Sequence, residues 1–417
     1  MQSKAVAGVA VERVGRRFGE NDSMADLAAF RRDVRGWLER SFPAELRGQG
    51  RGFGSAFEGG TKEPITPEQR RWFDACYERG YTVPSWPKAF GGAELSHDEH
   101  RALRAEMAAV GAPPPLSGMG VSMIGPTLLE YGTPTQKAEH LPKIASGAVR
   151  WCQGYSEPGA GSDLASLKTR AEDQGDYYLV NGSKIWTTFA DKADWMFCLV
   201  RTDSSAPKHE GISFVLFSMD QPGVSVKPIE LIAGNSDFCQ CFFDNVKALK
   251  SNLIGQENRG WTIGKRLLQH ERSSISGPGG GVRTGGSLPD LAKRYVGETD
   301  GKIADPATRD EVGAIEMDAR AFALTLRRAA EENANGRTET FATSIFKYYS
   351  TELDARRAEA NVRFLGTHGV GWEGVGFTPH ELQTTRTWLF GKALTIAGGS
   401  SEVQLNIVAK RVLGLPD

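Results

Sequence analysis

The decapeptide GYSEPGAGSD, residues 154–163, gathers the residue types that hold a polar ligand against a backbone. It sets a hydroxyl at Ser156, a carboxylate at Glu157, a turn at Pro158, Gly159 and Gly161, and a second hydroxyl at Ser162. Glycines let backbone N–H groups approach a ligand closely, and hydroxyls supply adaptable donors. A tight turn at a domain boundary explains the Pro and the Gly but not the whole decapeptide. Other patterns carry less. Gly369, Gly371 and Gly374 in GVGWEG fit GxGxxG. A dinucleotide loop, however, leaves a strand and enters a helix, whereas here helical periodicity precedes it and VGFTPH follows. Cys239 and Cys241 form CxC on a predicted strand, where alternation points both to one face. No second pair stands at zinc-like spacing, so no metal site is expected. There is no GxxxxGK phosphate loop and no GxSxG elbow.

The elements that must position these residues come in three blocks. From Met24 to about Ser146 the pattern is helical. Leu27, Phe30, Val34, Trp37 and Leu38 recur at spacings of three and four. Thr66-Pro67 and Ser96 are helix starts, and Gly80 and Gly111 are stops. Residues 149–255 read as an all-β unit: DYYLVNGSKIWTT holds two strand-like runs joined by Asn181-Gly182, a hairpin signal, and GISFVLFSMD, GVSVKPI and CQCFFDNVKAL continue it. After Gly260 long amphipathic stretches return, interrupted by SGPGGGVRTGGS. Strands confined to the middle argue against βαβ units and a parallel sheet. Residues 1–23 read as a flexible tail, with Met24 a candidate start.

Length and composition narrow the class. The 417 residues suffice for two or three domains, and 50 basic against 51 acidic residues leave a net charge of −1. Phosphate neutralisation needs a basic excess, so no nucleic-acid partner is expected. No apolar run approaches about 20 residues and no secretory apolar core begins the chain, so no membrane span and a cytoplasmic location are expected. Five cysteines, an odd number, do not form a disulfide framework.

YSEPGAGSDLASLKTRA, then NGSKIWTT, then the C-terminal GGSSEVQLNIVAKRVLG resemble the acyl-CoA dehydrogenase family over about residues 24–417. WCQGYSEPGAGSDLASLKTRA is most similar to the large subunit of pimeloyl-CoA-type dehydrogenases. The resemblance implies an α+β fold: an N-terminal α-helical domain (24–148), a middle antiparallel β-domain (149–255) and a C-terminal four-helix bundle (256–417). It implies FAD as cofactor and α,β-dehydrogenation of an acyl-CoA to the trans-2-enoyl-CoA, an α-proton going to a carboxylate and a β-hydride to flavin N5. Gln153 to Ser162, through Gly161, would line the flavin pyrimidine and pyrophosphate, with Tyr155 and Ser156 toward the ring's polar edge. Trp186, Thr187 and Thr188 would lie beside the ring, Thr188 nearest N5. Ser162, Gln269 and Arg272 match positions near the substrate. Arg363, Gly366, Gly369, Ser400 and Glu402 match further FAD contacts.

The base is the departure. Most members carry it as the Glu of a YEGTSEIQ string; this chain reads IAGGSSEVQ, with Gly398 at that place. A minority, isovaleryl-CoA dehydrogenase among them, carry it early in the bundle, and that position matches Glu271 in LLQHERSSI. The resemblance thus implies Glu271 as base, with the Gly398 N–H donating to the thioester carbonyl. The Arg-Phe-Gly string that grips a neighbour's FAD pyrophosphate is missing from YVGETDGKIADPATRDEVG, and RFLGTHG puts Arg363 where Gln is usual. The expected partners are therefore acyl-CoA, an electron-transfer flavoprotein, and either further copies of the chain or a second acyl-CoA dehydrogenase-like subunit. Two other readings stand beside this one: a non-catalytic subunit completing a partner's flavin site, and a flavin oxidase or monooxygenase on the same fold.

Overall fold

In the computed structural model, residues 26–47, 57–276, 287–334 and 342–416 are described; the side chains of 271–276, 330, 333, 334, 342 and 343 are not among them. The expected tail 1–23 and the Gly-rich 277–286 lie outside the described residues. The helices of the first third are α1 (26–41), α2 (Pro67–Glu78), α3 (His97–Ala109), α4 (Gly125–Tyr131) and α5 (Pro134–Ala145). Then come β1 (Trp151–Gly154), β2 (Arg170–Asp173), β3 (Tyr177–Thr188), β4 (Trp195–Arg201), β5 (Ile212–Ser218), β6 (Val224–Ile229), β7 (Phe238–Leu249) and β8 (Leu253–Ile254). The last block is α6 (Gly260–Ser276), α7 (Leu288–Val296), a hairpin of β9 (Glu298–Thr299) and β10 (Lys302–Ile303), α8 (Pro306–Ala334), α9 (Ala342–Phe364), α10 (Pro379–Gly391) and α11 (Ser401–Ile407). The chain divides into two compact units, 1–121 with 134–150 and 122–133 with 151–417.

The first unit is built on the predicted stripes. Val34, Trp37 and Leu38 of α1 meet Trp72 and Cys76 of α2 and Leu103 and Met107 of α3. Thr66 and Ser96 close capping boxes with Gln69 and Glu99, satisfying the first N–H groups of α2 and α3. Glu106 on α3, almost fully buried, accepts from Arg31 and Arg35 of α1 at 2.8 and 2.6 Å, tying the two helices.

The second unit opens on a sheet ordered β6-β7-β3-β2-β4-β5-β8, with β1 paired to β4. Its ladders are antiparallel except β1–β4 and β2–β4, which are parallel. The expected hairpin at Asn181-Gly182 is not formed. β3 runs straight through it, and the turn falls earlier, at Gly175 (φ +86°). Asn181-Gly182 instead sits at a bulge, where the register jumps between Val180–Val246 and Gly182–Phe243. Asn181 and Asn245 bond each other across it, Asn245 N to Asn181 Oδ1 at 2.9 Å. Gly182 is required by close approach: a Cβ there would meet Thr169 at 2.7 Å. The Asn-Gly pair was spent on a bulge rather than on a turn. Cys239 and Cys241 do share one buried face. Burial pushes their thiols up, to about 11 and about 12, so both stay protonated. No cluster of metal-ligating side chains occurs among the described residues.

The C-terminal helices of this unit gather on α9, which packs against α6, α7, α8, α10 and α11. Their core includes Leu288, Ala292, Val312, Ile315, Leu353, Ala360 and Phe364. Near it Glu381, buried at the start of α10, accepts from Thr378 N (2.6 Å) and Tyr295 Oη (2.8 Å) and pairs with His368 Nδ1 at 3.1 Å. The Thr378 N–H is the main cause that holds its carboxyl down, at about 2. A carboxylate depressed by folding stabilises the fold above its ordinary value of 4.5 and loses that contribution as pH falls through about 2. Glu381→Gln should therefore melt lower than wild type at neutral pH, with the gap narrowing between those two values in thermal melts. No helix among the described residues is long and apolar enough to cross a membrane.

Candidate active site

All the residues singled out for chemistry fall in the second unit. β1 leads directly into the decapeptide. Glu157 and Ala160 exchange both backbone hydrogen bonds at 3.0 Å, closing a tight turn over Pro158 and Gly159. Glu157 itself turns inward. Its carboxylate accepts from Lys168 N (2.7 Å), Thr169 N (2.8 Å) and Lys184 Nζ (2.9 Å). Lys184 is fully buried on β3 and also donates to the Tyr155 carbonyl at 3.0 Å. Burial works to raise the Glu157 carboxyl, but the Lys184 charge and the donated hydrogen bonds outweigh it and hold it below the ordinary carboxylate range. This buried pair locks GYSEPGAGSD to NGSKIWTT, the two strings that the sequence singled out separately.

The individual placements follow. Gln153 is half-buried on β1. Tyr155 does not present its ring to an outer face: it is buried between Phe197 and Phe214, its hydroxyl 3.5 Å from the Gly264 carbonyl of α6. Ser156 is half-buried, its carbonyl accepting from Ile185 N at 2.9 Å. Gly161 and Ser162 are exposed. A Cβ at Gly159 or Gly161 would meet no atom within 4 Å.

At the far end of β3 a second bulge, between Lys184–Cys241 and Thr187–Cys239, extrudes Trp186. Its backbone is left-handed (φ +61°) and its side chain 55% exposed. For a bulky residue that conformation costs on the order of 1–3 kcal/mol and persists where the surroundings over-determine it. Phe238 supplies part of that constraint, edge-on to Trp186 at 6.4 Å and stacked on Phe390 of α10 at 6.1 Å. Thr187 is buried and Thr188 half-buried beside the extruded ring. An open turn rich in glycine and hydroxyls, next to an exposed aromatic at a strand end, is a cradle that fits a flat ring system carrying a pyrophosphate.

Glu271 and Arg272 lie on the last turns of α6; their side chains lie outside the described residues. The described part of the helix has a clear inward side. Gly264 and Leu267 both face inward, Leu267 fully buried. Gln269 accepts from Arg266 Nη1 at 2.8 Å, and Arg266 pairs with Glu130 of α4 at 2.9 Å. Burial, reinforced by Arg266, lowers the basicity of His270.

Gly398 and Gly399 are both left-handed, at φ +66° and +98°. The fully buried Gln404 donates to their carbonyls at 2.9 and 3.3 Å. Ser400 caps α11, accepting from Val403 N. Glu402 is exposed, its carboxyl held low by its own N–H, then by Ser400. Gly366 follows α9 in a left-handed turn and Gly369 is buried against Val362. Arg363 is ion-paired to Glu311 of α8, so its charge is already engaged within the chain. The YVGETDGKIADP region forms the end of α7 and the β9–β10 hairpin.

Sequence reasoning missed Lys184, Gln404, Lys347 and the Glu381–Tyr295–His368 cluster as organisers. Lys184 alone had a signal: the inward positions of β3 run 178, 180, 184, and a lysine in that series demands an anion.

Comparison with known proteins agrees with this architecture. Residues 29–148 match the acyl-CoA dehydrogenase N-terminal domain, 152–246 the middle domain and 258–413 the C-terminal domain. The chain belongs to the acyl-CoA dehydrogenase family, flavoprotein oxidoreductases acting on CH–CH donors. It is 35% identical over 396 residues to the acyl-CoA dehydrogenase IpdE1 of Mycobacterium tuberculosis, covering 94% of this chain and 99% of that one. Among solved structures it resembles the Tcur3481-Tcur3483 steroid ACAD (30% identical, TM-score 0.74, covering 94% and 98%). It also resembles the ChsE4-ChsE5 complex from Mycobacterium tuberculosis (28% identical, TM-score 0.72, 94% and 98%).

Proposed function

We propose that this chain catalyses FAD-dependent α,β-dehydrogenation of an acyl-CoA, with Glu271 as the base. The observation that carries the reading is the left-handed glycine at 398, where most members place their base, in a chain that keeps a glutamate at position 271 of α6. When bound, FAD supplies the two-electron acceptor for the β-hydride. The turn at 156–162 and the strand end at Trp186–Thr188 would hold it. Ser162, Gln269 and Arg272 would contact the substrate. Glu271 takes the α-proton, and a dry pocket raises its basicity. The Gly398 N–H donates to the thioester carbonyl, where enolate charge develops. Removing the usual glutamate side chain at 398 also leaves room for a bulky acyl group. The steroid dehydrogenase among the similar structures favours a ring-bearing one.

The same structures favour a heteromer. Here the β9–β10 hairpin replaces the usual pyrophosphate-gripping arginine, and Arg363 is tied to Glu311, so a second, unlike subunit would complete the FAD contacts. An electron-transfer flavoprotein as acceptor and a cytoplasmic setting complete the proposal. The rival reading, a non-catalytic subunit, rests on Gly398 and the missing Arg-Phe-Gly string. Purification separates them. Yellow protein, alone or with a co-purified subunit, whose flavin bleaches on adding a ring-bearing acyl-CoA and stays intact in a Glu271→Gln variant, is the expected result. Bleaching that survives in Glu271→Gln would assign the base to another carboxylate, in this chain or in the co-purified subunit.

A further inference from the structure

The chain from Thr395 to Ser401 is a loop shaped from beneath. Ser401 N donates to the Thr395 carbonyl at 3.0 Å, closing it. Ser401 Oγ donates to Glu352 of α9 at 2.6 Å. One turn and a half earlier on α9 stands Lys347, with no surface exposed to solvent. Its Nζ donates to the carbonyls of Thr395 (3.2 Å) and Gly399 (2.7 Å), both on this loop. Gln404 fixes the carbonyls of Gly398 and Gly399 from α11. An ammonium is costly to bury, and an aliphatic side chain would fill the same space without that cost. What the ammonium adds is direction: it turns the loop's carbonyls toward α9 and so sets the orientation of the peptide units between them.

We propose that Lys347 is a positioning residue for thioester activation, its buried ammonium holding the Thr395 and Gly399 carbonyls inward so that the Gly398 peptide keeps the orientation from which its N–H meets the substrate carbonyl. This rests on the reading that Gly398 receives the thioester. Lys347 has no exposed surface and donates to two loop carbonyls, so it acts through the loop.

The test uses the holoprotein, with any subunit that co-purifies, and the CoA thioester of a ring-bearing 3-thia acid as the probe. Its β-sulfur acidifies the α-proton and leaves no hydride to transfer, so a bound enolate shows as a long-wavelength charge-transfer band with oxidised flavin. Lys347→Met should keep its FAD and its affinity for the probe within about threefold, but lose about tenfold of the band and about a hundredfold of kcat at nearly unchanged KM. Lys347→Gln, which keeps a donor without the charge, should fall between. A wild-type band and kcat in Lys347→Met would overturn the proposal. So would loss of FAD or of cooperative melting in both variants, which would make the lysine purely structural. Glu271→Gln separates the two levels. A bandless Glu271→Gln beside an undiminished Lys347→Met sinks only the role of Lys347. A band that persists in Glu271→Gln, or none in wild type, sinks the underlying reading with it.

Discussion

Glu271→Gln should bind FAD and acyl-CoA normally and lose flavin reduction by about 10³–10⁴-fold, in stopped-flow absorbance under anaerobic conditions. The argument is one of elimination and register. The α-carbon of a thioester is a weak acid, so its proton leaves only to a positioned base. Gly398 has no side chain, and Glu402, four residues on, is exposed on the first turn of α11 with its carboxyl held low by its own N–H and by Ser400. A carboxylate so stabilised is a poor base. Position 271 lies two helical turns, about 10 Å along the axis, beyond Gly264, whose carbonyl is the partner of Tyr155 in the decapeptide. Gly264 can be nothing larger without displacing neighbours, because a Cβ would stand 3.0 Å from Leu199. The helix is therefore seated directly on the strand layer that carries the decapeptide turn. A Glu271→Gln enzyme with near-normal flavin reduction would mean that another carboxylate, in this chain or a partner, does the work.

Much of this was legible before the structure. The three-block order of helices, strands and helices followed from periodicity, because amphipathic spacing depends only on which face is buried. Val34, Trp37 and Leu38 are buried as the spacing demanded. Capping at Thr66 and Ser96 was legible for a similar reason, since a cap is satisfied within four residues. Asn181-Gly182 was misleading because local chemistry is shared: a residue pair suited to positive φ serves a tight turn and a bulge equally well. Only the close approach of Thr169, contributed from outside the strand, decides between them. The surroundings of the Tyr155 side chain were not legible either, because Phe197, Phe214 and Gly264 come from elements 40 or more residues away. The partners of Lys347 and Glu381 were invisible for the same reason, each being set by the packing of α9 or α10 against segments remote in sequence.

Lys184→Met should be the most damaging single change in the strand layer. Breaking a buried ion pair by removing one partner costs about 3–5 kcal/mol, because the other charge stays buried. For a unit of this size that is a fall in melting temperature on the order of 10 °C. Lys184 has no solvent exposure and the Glu157 side chain only 8%, so neither water nor salt screens the loss. The variant should also lose FAD, since the Tyr155 carbonyl and the turn at 157–160 are released together. The sign of the pH dependence identifies the cause. In wild type Glu157 is held below the ordinary 4.5, so it stabilises the fold above that value and ceases to as pH falls through its lowered value. In Lys184→Met the largest opposing influence is gone; the hydrogen bonds from Lys168 and Thr169 remain, and burial acts against them, so the carboxyl rises relative to wild type. The variant then takes up a proton more readily than wild type and sheds its buried charge. Its melting deficit should therefore be greatest at neutral pH and shrink on acidification toward 4.5. Adding Glu157→Gln to Lys184→Met should recover part of the loss at neutral pH, since the stranded charge is removed, and flatten the pH dependence. A deficit that stays constant across that range, with no recovery in the double variant, would show that Lys184 matters for its packing and not as the counter-ion of Glu157.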